Sequence, residues 1–309
     1  MSDLKGRALL AYVTVCIVWG TTYLAIRVGV MELPPFLFGG ARFLIAGLLL
    51  AAIARIAGLK FPAAFEEWAM LAVGGVMLLF FGNGMLVWAE QTVDAGAASI
   101  YVVTVAIWSA LFDAVVPGGT VPFTWRLAVG LLIGLLGAVV LTGTTPRALM
   151  ASDLKGPLVL LGASASWGLG SVLLKRRPTG ASALSAAAVE MVAGGLALLV
   201  LSFARHEHLH LPLSRTAWFA FAYLVVLGSI VGYTAYAYAL NHAPATIVGT
   251  YAYVNPVVAV LLGWLLLHEE LSARKLLGMA VIAGAVLWVR AATKTRRPAQ
   301  VPRAKERAA

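Results

Sequence analysis

The sequence predicts an all-α polytopic membrane protein, with ten transmembrane helices arranged as two inverted five-helix repeats and both termini cytosolic. Three observations predict it. Of the 309 residues, 61% are hydrophobic and 12% charged, with a mean hydropathy of +0.91, whereas soluble domains are about half apolar and about a quarter charged. Ten apolar runs, each long enough to cross a bilayer, follow one another with short polar breaks. The first five runs and the last five share an ordered series of residues.

This composition sets aside soluble enzymes, nucleic-acid binders and disordered proteins, because so much apolar side chain cannot be kept from water by a chain of this size. The net charge of +10 does not mark a nucleic-acid surface, since many basic residues lie in the tail from Arg290 to Arg307. The positive-inside bias expects them in a cytosolic tail. The 31 glycines suit helices that approach closely in lipid. Cys16 is the single cysteine and can form no internal disulfide.

A spanning helix needs about 20 mostly apolar residues. The runs are 8–30, 35–57, 67–89, 95–115, 123–142, 156–174, 181–203, 216–239, 245–267 and 273–292. The first is longer than the core of a signal peptide, lacks a small-residue cleavage site and leads straight into another span, so it reads as a helix. With the N-terminus inside, fifteen Lys and Arg residues fall on the cytosolic side and six in outer loops. That bias turns both termini inward. The loop around 204–215 carries His206, His208 and His210, which read as a solvated outer loop; adventitious metal binding is the alternative.

Trp19-Gly20 in the first span matches Trp167-Gly168 in the sixth at an offset of 148 residues. The same offset sets Arg27 on Lys175, Arg42 on Glu190, Gly47 on Gly195 and Gly130 on Gly278. In the middle of each half the offset is 150, setting Gly82 on Gly232, Asn83 on Tyr233, Ala89 on Ala239, Tyr101 on Tyr251 and Ala106 on Pro256. The expected units are 1–150, 151–292 and a basic cytosolic tail at 293–309. Five spans per unit invert the second copy in the membrane. Inverted repeats characterise secondary transporters, with the substrate near the midplane between them.

Several polar residues fall at membrane depth. Arg42 lies seven residues into the second span and Glu190 nine into the seventh, which places them only about 7 Å apart in depth in a core of about 30 Å. Intramembrane charge is costly, so the two read either as a pair lining the pathway and coupling to a proton, or as a structural ion pair joining the halves. Trp19 and Trp167 sit near span centres. The glycine after each is expected to leave open space beside the indole, where a substrate could stack while the ring N–H donates a hydrogen bond; core packing is the alternative. Asn83, between Gly82 and Gly84, offers a donor and an acceptor at mid-membrane, to substrate or to a neighbouring helix. Gly82, Gly84 and Gly232 permit bending of the third and eighth spans. In the ninth span Tyr251 and Asn255 precede Pro256, which cannot donate to the carbonyl of Ala252 and marks a bending element. Tyr233, Tyr101 and Trp108 complete the expected aromatic lining.

No phosphate loop, zinc-binding helix motif, nucleophile elbow or Cys/His metal spacing is present in the sequence. The expectation is a non-enzyme with no cofactor, no metal and no catalytic residue. Glu269-Glu270 beside His268 is the one cluster a membrane-embedded enzyme could use, and it reads better as a helix-joining cap. A channel would need a carbonyl filter or a ring of like charges, and neither pattern occurs.

The stretch Trp19-Gly20-Thr21-Thr22-Tyr23 through Arg27, then Pro34-Pro35 and Arg42-Phe43, resembles the opening of EamA-type members of the drug/metabolite transporter superfamily. The run from Ala252 through Asn255-Pro256 to Gly263, then Glu269, Leu271-Ser272, Gly278 and Gly284, is similar to the end of the second repeat of that family. Ala106 departs from the pattern, which usually has proline there, and no glutamate follows the fourth span. The resemblance implies a bacterial inner-membrane exporter of amino acids and other metabolites working by alternating access. The aromatic lining with few charges suits a zwitterion with an apolar side chain; Arg42 would attract its carboxylate and Glu190 its ammonium. A phosphorylated sugar would need several buried cations, whereas only Arg42 lies deep. The expected partners are a small-molecule substrate and the lipid bilayer, with no nucleic acid, and a monomer as the working unit.

Overall fold

The computed structural model describes residues 6–93, 95–119, 121–145, 154–209, 213–268 and 270–293. The basic tail beyond Thr293, His210 and Glu269 lie outside the described residues. Among the described residues, ten helices are long and apolar enough to span a bilayer. They are α1 (Arg7–Val30), α2 (Pro35–Ile56), α3 (Phe65–Ala89), α4 in two pieces (Ala95–Val103 and Val105–Val115) and α5 (Trp125–Thr142). The second half has α6 (Lys155–Arg176), α7 (Ala183–Ala204), α8 (Arg215–His242), α9 in two pieces (Ala245–Gly249 and Tyr251–Leu267) and α10 (Ala273–Ala292).

Local chemistry sets the helix starts. Thr124, Ser182, Ser214 and Ser272 each accept the N–H three residues on and so begin α5, α7, α8 and α10, satisfying a donor that the helix itself cannot. Pro35 opens α2 at a first-turn position, where its missing N–H costs nothing. Gly143 closes α5 at φ 69°, a left-handed conformation that favours glycine.

The two halves pack by a common rule. α2 lies along its counterpart α7, and α5 along its counterpart α10. The paired glycines serve these seams: a methyl on Gly47 would meet Val192 at 2.9 Å, and one on Gly195 would meet Leu44 at 2.7 Å. α1 packs on α8 and α9, and its counterpart α6 packs on α3 and α4. Here the structure corrects an expectation. Gly20 and Gly168 do not leave open space beside the indoles. Gly20 receives Val258 of α9, and Gly168 receives Trp108 and Ser109 of α4. Without a side chain, each lets a neighbouring helix close in.

α3 and α8 are not simply bent at glycine. Each contains a π-helical stretch, Val76–Gly84 in α3 and Leu224–Val231 in α8. π turns are rare in helices and concentrate at functional sites. α9 runs unbroken through Pro256; its interruption falls at Thr250, as that of α4 falls at Thr104. At both interruptions the threonine hydroxyl donates to the carbonyl three residues back.

The outward faces of the spans carry exposed Ile17, Leu48, Leu132, Val200, Phe219 and Leu287, a surface that lipid solvates and water does not. Short polar latches fasten the helix ends. Where α1 begins, Arg176 pairs with Asp113 at 3.1 Å and Glu67 accepts the Gly180 N–H at 2.9 Å. At the opposite end, Glu32 accepts from the Ser214 N–H at 2.8 Å and Glu207 from the Leu37 N–H at 2.8 Å.

Candidate transport site

A cavity lies between the repeats, walled mainly by α1, α2, α3, α6, α8 and α9. Its centre is aromatic. The Trp19 and Trp167 rings meet edge to face, with 5.4 Å between centroids. Tyr251 stands 4.9 Å from Trp19 and Tyr236 5.2 Å from it on another side. The indoles are held by their N–H groups: Trp19 Nε1 donates to the Gly228 carbonyl at 2.9 Å, and Trp167 Nε1 to the Tyr236 hydroxyl at 3.0 Å. Both N–H groups are therefore already used, and the rings offer faces and edges.

The cavity brings part of the expected set together. Trp19, Asn83, Trp167, Tyr233, Tyr251 and Asn255 line this cavity, with Arg42 and Gly82. Tyr101 and Trp108 do not. Trp108 stacks on Phe112 at 5.8 Å and packs against Gly168, while Val102 and Val105 give α4 its cavity face. Gly84 admits Leu198 of α7, and Gly232 lies against the Trp19 indole.

Arg42 and Glu190 do not pair. Arg42, 3% exposed, donates from Nε to the Ser229 hydroxyl at 2.8 Å and lies over the Phe43 ring at 4.7 Å. Its Nη1 is buried without a hydrogen-bond partner. Glu190, 4% exposed, accepts the Tyr233 hydroxyl at 2.6 Å and faces a second cavity with Lys175 and His242, at the end where α1 begins. The two side chains face different cavities. Tyr233 and Tyr236 form the wall between the cavities: Tyr233 lines the first, and Tyr236 lines the second while bonding Trp167 in the first.

Sequence reasoning missed Tyr23, Tyr236 and Ser229. Tyr236 lies one turn beyond Tyr233, a spacing that puts both on one helix face. Asn83 Oδ1, like Arg42 Nη1, is buried and without a partner. The central cavity thus holds one unsatisfied cationic donor and one unsatisfied acceptor among aromatic rings. Among the described residues no cluster of His, Cys, Asp and Glu could hold a metal.

Paired five-helix repeats inverted around a central cavity define a multi-pass membrane transporter. The EamA-like transporter family model matches residues 6–143 and again 154–291, and the chain belongs to that family. It is 38% identical to the inner membrane transporter YedA of Escherichia coli over 276 residues, covering 88% of this chain and 87% of that one. It is 28% identical to a protein of Streptantibioticus cattleyicolor named as a probable terminal-alkyne amino-acid exporter, covering 96% and 98%. A solved crystal structure superposes with a TM-score of 0.75 at 21% identity, covering 93% of this chain and 99% of that one, which supports the fold.

Proposed function

We propose that this chain is a secondary transporter that exports small organic metabolites, foremost amino acids with aromatic or apolar side chains, across the bacterial inner membrane by alternating access. Both termini face the cytosol, the repeats divide at 150/151, and one chain is the working unit. The observation that carries the substrate class is Arg42: a buried guanidinium with a free Nη1, in a cavity otherwise walled by aromatic rings. A buried unpaired donor on a cation is costly, and a carboxylate satisfies it with a charge-assisted hydrogen bond. Asn83 Oδ1 replaces Glu190 as the partner for an ammonium group, because Glu190 faces the other cavity. Trp19, Trp167 and Tyr251 pack the side chain, and Asn255 holds the backbone of α9. α3, α4, α8 and α9 move to open each end, with Gly82, Gly84, Gly232 and Pro256 easing the movement. The exporter name carried by the S. cattleyicolor relative supports this substrate class.

The test is counterflow in proteoliposomes: vesicles loaded with one unlabelled amino acid exchange for the labelled one outside. Phenylalanine and leucine should exchange, whereas phenylethylamine, which lacks the carboxylate, should not. Arg42→Gln should abolish exchange while leaving folded yield measurable. No exchange of any amino acid in a panel would overturn the substrate class.

A further inference from the structure

Glu90 closes α3 one residue past its last helical turn and is fully buried, at 0% exposure. Neither carboxyl oxygen has a hydrogen-bond partner. Its surroundings are specific. Arg27 of α1 donates from Nη1 to the Glu90 main-chain carbonyl at 2.7 Å, not to its carboxyl group. Tyr23 of α1, which lines the central cavity, interacts electrostatically with Glu90 and contacts Asn255. On the other side, Trp88 and Gln91 line an end cleft with Glu32, Arg205, His206, Glu207 and His208. Ala89, Val93 and Leu160 pack in the same cluster, with Tyr101 of α4 against it. Glu90 therefore stands between the central cavity and the cleft, with an arginine within reach of it and no donor on its oxygens.

We propose that Glu90 is the proton-binding site that couples transport to a proton gradient, a reading that rests on the transporter function above. An ionised carboxylate without donors in a dry site is strongly disfavoured, so Glu90 holds its proton in this arrangement. When the chain opens toward the cytosol, water reaches Glu90 past Tyr23 from the central cavity. The proton leaves Glu90 to that water, and the Arg27 guanidinium turns from the Glu90 carbonyl to the new carboxylate, so the charge is compensated. When the chain opens at the cleft end, water between Trp88 and Gln91 protonates Glu90 again, so one proton enters as one substrate leaves. One proton bound and one released per cycle balances the charge, and no other reactant is needed.

The test uses purified full-length protein in liposomes, with labelled phenylalanine as the probe and a one-unit pH gradient imposed. A one-to-one exchange supports up to about tenfold accumulation for that gradient. The wild-type chain should accumulate substrate; Glu90→Gln should still exchange phenylalanine in counterflow but show no accumulation. Accumulation by Glu90→Gln, or a wild-type chain that exchanges without responding to the gradient, overturns the proposal and leaves the transporter reading standing. Should Glu90→Gln not fold, dicyclohexylcarbodiimide, which reacts with protonated carboxyls in apolar sites, reads the same group in the wild type. Mass spectrometry should find Glu90 modified, less so as pH rises. Failure to modify Glu90 at low pH overturns the proposal. If the probe does not exchange at all but Glu90 titrates in this assay, the substrate class fails and the proton site stands.

Discussion

Tyr233 and Glu190 join the two cavities of the bundle: the Tyr233 hydroxyl, in the wall of the central one, donates to Oε2 of Glu190 in the other over 2.6 Å. Tyr233→Phe leaves a buried carboxyl without its donor, which costs about 1–3 kcal/mol. The unfolding midpoint in detergent should fall. Glu190→Gln keeps an acceptor oxygen and should lower it less. Equal midpoints for the two variants would show that this hydrogen bond does not hold the wall.

Trp167 packs on Gly82 of the other repeat, and Trp19 packs on Gly232 in the same way. A methyl on Gly82 would stand 2.8 Å from the Trp167 ring, and one on Gly232 2.5 Å from Trp19 Nε1. Gly82→Ala and Gly232→Ala should each cost about 1–3 kcal/mol through overpacking and reduce counterflow. Gly162→Ala, whose methyl meets nothing within 4 Å, should leave both unchanged. A Gly82→Ala variant as stable and active as Gly162→Ala would disprove the close indole contact.

Glu32 accepts from both the hydroxyl and the N–H of Ser214, and these bonds hold its carboxyl below its ordinary value of 4.5. A depressed folded-state value means that the contribution is present above 4.5 and disappears as pH falls through the folded-state value. The midpoint difference between the wild type and Glu32→Ala should thus be full at neutral pH and close in acid. A difference that grows as pH drops below 4.5 would contradict the latch.

Orientation is tested by cysteine labelling in a Cys16→Ser background. Single cysteines at positions 3 and 305 should react only with reagent on the cytosolic side, and one at 208 only from outside. Labelling of positions 3 and 305 from opposite sides would end the ten-span arrangement.

The ten spans were legible because lipid demands length and apolarity, and both are written residue by residue. The repeat was legible through Trp19, Trp167 and the glycines that hold its seams. Direction around each helix was not. Arg42 and Glu190, expected at neighbouring depths, face different cavities. Tyr101 and Trp108 fall off the lining, where Val102 and Val105, on either side of the interruption at Thr104, stand instead. The π-helical stretches carry no composition that distinguishes them from ordinary α-helix. Glu90 sits just past a span, where sequence reads a charged loop residue, and only packing shows that no water reaches it.

The crossed contacts Trp19–Gly232 and Trp167–Gly82 have a thermodynamic consequence. If the repeats were identical, exchanging their conformations would turn a transporter open to one side into one open to the other at equal energy. Any resting preference between the two sides would then originate where the halves differ, Arg42 opposite Glu190, Asn83 opposite Tyr233 and Ala106 opposite Pro256 among them. Such positions would act as the weights on an otherwise level balance, and substitutions there would shift which side the empty protein faces before any substrate arrives.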